Sequence, residues 1–118
     1  MYRTLESEVE EDVFMARGMI NCGICGHKIE VEADCPDGQD VKLKISSDCP
    51  NYQKIAAELQ EVDAFKELFQ PLHLGQVYQA FAKYSPHPSC PGLSGMLKTV
   101  EVAAGLALAQ TAVVEVTS

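Results

Sequence analysis

The sequence predicts an α+β domain: a small antiparallel sheet covered on one face by about four helices, in two layers. Three observations carry this. Lys28-Ile29-Glu30-Val31-Glu32-Ala33 and Val41-Lys42-Leu43-Lys44-Ile45 both alternate polar and apolar residues, the period of a half-buried strand. Pro36-Asp37-Gly38-Gln39 between them is turn chemistry, so the two runs read as one β-hairpin. Helical periodicities then follow consecutively, without strands between them, which favours segregated α+β over alternating α/β.

In the hairpin, Ile29, Val31, Val41, Leu43 and Ile45 share one face, and the Lys and Glu residues share the other, where cross-strand pairs form. Ser47 or Asp48 can cap a first helix, with Pro50 in its opening turn and Tyr52, Ile55, Ala56 and Leu59 at helical spacing. Asp63 can cap a short second helix carrying Phe65, Leu68 and Phe69, which Pro71 stops. Residues 75–84 predict a third, with Val77, Tyr78, Phe81 and Ala82 inward. Ser85-Pro86-His87-Pro88-Ser89 is a stiff loop. Ser89 is placed to cap a fourth helix that turns Leu93, Met96, Leu97, Val100 and Ala104 inward and ends near Gly105. Ala112-Val113-Val114-Glu115-Val116 predicts a closing strand that joins the hairpin in the sheet.

The 118 residues make one domain, residues 19–118, after an acidic leader, residues 1–18. Glu6, Glu8, Glu10, Glu11 and Asp12 crowd into that leader, which reads as a solvated, frayed segment or as a tail for a protein partner. It has no basic stretch followed by an apolar one, so it is not a secretory signal, and Met15 or Met19 is an alternative start. A formal charge of -8 argues against a nucleic-acid partner, because no basic stripe exists to release phosphate counterions. No apolar run reaches the ~18–20 residues of a membrane span. The free edge of so short a sheet is a surface through which two copies could pair as a homodimer.

Five cysteines without a secretory signal read as reduced, cytoplasmic thiols, and an odd number cannot close completely into disulfides within one chain. Such thiols are buried hydrophobes, metal ligands or catalysts. Cys49 and Cys90 each stand in a polar-Cys-Pro sequence directly before an amphipathic helix. A helix N-terminus, with its unpaired amides and partial positive charge, stabilises an anion, and a thiolate is one. Cys22-Gly23-Ile24-Cys25-Gly26 has half of a zinc-ribbon ligand pattern, its glycines permitting a tight turn, and it lacks the second CxxC of a ribbon. A thioredoxin-type CxxC opens a helix, whereas strand-like residues follow this one. His87, three residues before Cys90 on the proline-stiffened loop, can add a ligand or support one. His27 and His73 receive no role, and Cys35, beside the hairpin turn, is the odd cysteine.

If the loops gather at one end, Cys25, Cys49 and Cys90 form a metal site that His87 or Cys22 completes, suited to zinc or an iron–sulfur cluster. The rival readings are a thiol-redox protein with Cys49 or Cys90 reactive, and an interaction module whose cysteines are buried structure. Gly92-Leu93-Ser94-Gly95 could hold a small anion at a helix start, although glycines there also allow close packing. No dinucleotide or P-loop fingerprint and no nucleophile-elbow sequence is present.

Gly23-Ile24-Cys25-Gly26, Ser47-Asp48-Cys49-Pro50, and His87-Pro88-Ser89-Cys90-Pro91 with Lys98-Thr99-Val100-Glu101 resemble an uncharacterised family of small prokaryotic proteins, many from anaerobes. The resemblance runs from about Met19 onward and transfers no activity. In that family the position of Cys22 often carries another residue. Locally, Ser47-Asp48-Cys49-Pro50 is also similar to the Ser-Cys-Pro turn of TSCPD-type domains, which accompany some ribonucleotide reductases. Here Asn51 stands where those domains place Asp, so the similarity implies strand–turn–helix geometry alone.

Overall fold

In a computed structural model, which describes residues 15–118, four strands form one antiparallel sheet in chain order: β1 (Met15–Asn21), β2 (Lys28–Asp34), β3 (Asp40–Ser47) and β4 (Glu61–Asp63). Four helices accompany it: α1 (Pro50–Glu58), α2 (Ala64–Leu68), α3 (Gln76–Tyr84) and α4 (Gly92–Ala103), with a 3-10 turn at Leu72–Leu74.

The β2–β3 hairpin forms as its alternation dictates. Val31 pairs with Ile45 and Ala33 with Leu43, and Ile29, Val31, Ala33, Val41, Leu43 and Ile45 are all buried. Its turn is set by Gly38 at φ +78° and by Asp37, whose carboxylate accepts from the Gln39 and Asp40 amides. On the solvent face Glu32 stands opposite both Lys44 and Arg17, and the Arg17 guanidinium also bonds Glu30.

The helices begin and end for legible reasons. Asp63 caps α2 by accepting from the Phe65 and Lys66 amides. At the end of α4, Gly105 (φ +77°) lets its own amide reach the Val102 carbonyl and the Leu106 amide reach Glu101, the paired bonds of a Schellman stop. Tyr52 and Ile55 on α1, Val77, Ala80 and Phe81 on α3, and Met96, Thr99, Val100 and Ala103 on α4 are buried.

Several expectations need correction. Residues 112–116 form no strand; Val113, Val114 and Val116 are each at least 79% exposed. A strand there would put Ala112, Val114 and Val116 on one apolar face, yet the segment joins no strand of the sheet, whose order is β1-β2-β3-β4. The edge of β3 is taken instead by β4, and the edge of β2 by β1. Strand β1 begins at Met15, so residues 15–18, expected in the leader, lie within the sheet; the acidic run itself falls outside the described residues. Gly18 disguises this strand, and it is there for contact: a Cβ at Gly18 would lie 2.0 Å from the Thr99 hydroxyl of α4. Across the same seam, a Cβ at Gly95 would lie 2.5 Å from Ile20. The Phe65 and Phe69 rings stack on each other at 5.9 Å while exposed, and α2 buries Ala64 and Glu67 instead. Tyr78 is half-buried and Ala82 exposed, their inward places taken by Ala80. Ser89 does not cap α4, whose N-cap residue is Pro91 and which has no side-chain cap.

Candidate functional site

The β1–β2 connection, the end of β3 and the start of α4 come together at one end of the sheet, and four cysteines ride on them. Cys22 and Cys25 lie in the β1–β2 loop, a tight knuckle in which the Cys22 amide bonds the His27 carbonyl and the Gly26 amide bonds Gly23. Gly23 (φ +94°) and Gly26 (φ +79°) hold the left-handed conformations this turn requires. Cys49 is the N-cap residue of α1 and is buried. Ser47 fixes it there, donating its hydroxyl to the Lys28 carbonyl while accepting from the Cys49 amide, so that one side chain ties β2, β3 and α1 together. Cys90, half-buried, precedes α4 in a turn closed by its amide on the His87 carbonyl.

The Cys22 and Cys90 side chains are within hydrogen-bonding reach of each other, and Cys90 also pairs with the hydroxyl of Tyr52 on α1. Burial, followed by the Cys90 hydrogen bond and the nearby Cys90, Cys25 and Cys49 sulfurs, pushes the Cys22 thiol from 9.0 up to about 12. Burial and the same two neighbours, Cys90 and Cys22, raise the Tyr52 phenol as well. Among the described residues, no three His, Cys, Asp or Glu side chains already stand in an arrangement that would hold a metal ion. Cys25 is the exposed member, on a loop whose two glycines stand in open space, with nothing within 4 Å of where a Cβ would lie.

The other residues singled out divide cleanly. His87 is exposed on its loop, and its contacts to Ser85 and Cys90 run through its backbone. Cys35 lies apart, beyond the far end of β2, where it is fully buried, and burial raises its thiol. Gly92 serves packing: a Cβ there would lie 2.8 Å from Ile29 and 3.0 Å from both Phe81 and the Tyr52 hydroxyl. Two features are not evident from the sequence. Its periodicity marks Tyr52 as core and nothing more, and it gives His27 no role, yet the His27 Nδ1 lies 3.1 Å from the Asp48 carboxylate and holds that carboxyl below its usual range. Adjacency is the one signal available, since His27 follows the CxxC-Gly knuckle directly and Asp48 precedes Cys49.

Residues 16–116 match the model of DUF6951, a family of unknown function. The chain belongs to that family. The span matched to DUF6951 takes in every cysteine of the chain, along with β1 from its second residue. No curated protein and no solved structure matches the chain. Among the described residues, no helix is long and apolar enough to cross a membrane.

Proposed function

We propose that this protein binds a transition-metal centre, zinc or an iron–sulfur cluster, through Cys22, Cys25, Cys49 and Cys90. The observation that carries the reading is the convergence of three cysteine-bearing chain segments at one end of the sheet, where Cys90, Cys25 and Cys49 are near enough to raise the Cys22 thiol. Donor chemistry supports it: four thiolates suit tetrahedral zinc, and they equally suit a cluster. Binding would have to displace the thiol protons, which a bound cation does outright. His87 has no part in this set, and Cys22 takes the fourth position. A reducing, cytoplasmic setting would keep the sulfurs available.

The direct approach of Cys22 to Cys90 favours a second reading, a dithiol pair that cycles to a disulfide. The raised Cys22 thiol counts against it as an attacking group, since the thiolate is the nucleophile.

Metal and acid-labile sulfide analysis of protein purified without oxygen or chelators, beside Cys49→Ser, decides the matter. Zinc, or iron with sulfide, bound stoichiometrically and lost in the variant is the expected result. Folded, metal-free protein that takes up neither on reconstitution would overturn the proposal. Rapid alkylation near neutral pH would then favour the dithiol.

A further inference from the structure

Tyr52 is only 4% exposed, so its hydroxyl has left water and must find a partner inside the protein. That partner is the sulfur of Cys90. The surroundings keep the hydroxyl on target. The ring rests against Phe81 of α3 with 5.4 Å between centroids. Position 92 is a glycine, and a Cβ there would come within 3.0 Å of the hydroxyl oxygen.

A neutral Cys90 thiol could either give or take this bond. A metal-bound sulfur carries no proton, which leaves the phenol as the donor. Groups that hydrogen-bond a metal's ligands orient them and tune their donor strength, and losing one typically costs ~10–100-fold in metal affinity.

We propose that Tyr52 is a positioning residue of the cysteine centre, its buried hydroxyl donating to the Cys90 thiolate and setting both the direction and the electron-donating strength of that sulfur. The inference rests on the metal reading above and deepens it.

Cobalt(II) titration of the full chain and of Tyr52→Phe provides the test, since cobalt reports thiolate ligation by its absorption. In the unaltered protein, thiolate-to-cobalt charge-transfer bands should appear. Tyr52→Phe should weaken cobalt binding about tenfold or more. It should also move the bands to lower energy, because a sulfur relieved of its hydrogen bond gives up charge more easily. Phe81→Leu serves as the packing control: it loosens the same contact, lowering the melting temperature, yet leaves the bands in place. If the unaltered chain shows no thiolate–cobalt bands, the metal reading fails and takes this inference with it. If it binds cobalt and Tyr52→Phe matches it in affinity and band position, the role of Tyr52 is overturned while the centre stands. A band shift in Phe81→Leu as large as in Tyr52→Phe would assign the effect to packing and overturn the proposal equally.

Discussion

The helix N-termini of this domain fall into two kinds. At α2 and α3 they are closed by carboxylates. Asp63 caps α2 from its own N-cap position, and Glu67, 6% exposed, reaches from α2 to accept from the Gln76 and Val77 amides that open α3. At α1 and α4 no side chain caps the helix, and a cysteine stands at or just before the first turn instead. Carboxylates are the better caps, and a chain this acidic had them to spare. The cysteine ends thus forgo the local stability that a carboxylate cap gives the other two.

The sharpest way to break this comparison is through the frame that joins the two cysteine-bearing segments. Gly18→Val forces a side chain into the Thr99 hydroxyl, which itself donates to the Gly95 carbonyl at 2.8 Å. Denaturant melts should show a loss of about 3 kcal/mol, typical of overpacking where nothing can yield. Adding Thr99→Ala should recover part of it. Next comes the carboxylate end. Glu67→Ala leaves the Gln76 and Val77 amides without their acceptor and should cost about 1–3 kcal/mol, while metal content stays as it was.

Smaller, and opposite in sign, is the effect expected at α1. Serine is a better N-cap than cysteine, and the backbone at position 49 is already extended, at φ -85° and ψ 125°. Cys49→Ser should therefore stabilise the metal-free protein by roughly 0.5–1 kcal/mol even as it abolishes metal uptake. A variant less stable than the metal-free parent would mean that the cysteine serves packing. The pH response refines the same contrast. With the Cys22 thiol raised from 9.0 to about 12 in the fold, folded and unfolded chains both keep that proton below pH 9. Between 9 and 12 the unfolded chain releases it first, so metal-free protein should lose stability across that window. Since metal binding displaces the proton, affinity should rise with pH. Urea midpoints across the range, with and without zinc, check both signs.

How much of this is readable in the sequence depends on how local the cause is. The β2–β3 hairpin, the Asp63 cap, the burial of Tyr52 and Ile55 on α1 and the stop at Gly105 are set within a few residues of themselves, by alternation, cap chemistry and a positive φ. Strand β1 is hidden because its glycine answers to Thr99, a residue far along the chain. Strand β4 has three residues, too few to show a period. The segment 112–116 has the residues of a strand, but the edges of β2 and β3 are taken by β1 and β4, which the segment's own sequence does not show. For the proposed centre, glycines, prolines and helix starts are what single out Cys25, Cys49 and Cys90 in the sequence. The proposed preference for Cys22 over His87, and the proposed part of Tyr52, rest on which loops meet in space, and spacing in the chain carries no trace of that.

Strand order equal to chain order has a kinetic side. Each strand finds its partner next to it in sequence, so the sheet can grow as the chain emerges, with little loop entropy to overcome at each step. Three of the clustered sulfurs arrive with the first three strands and the start of α1; the fourth comes only with α4. Assembly of the proposed centre would therefore wait for the segment that opens α4, and until it arrives the first three thiols stand without their fourth.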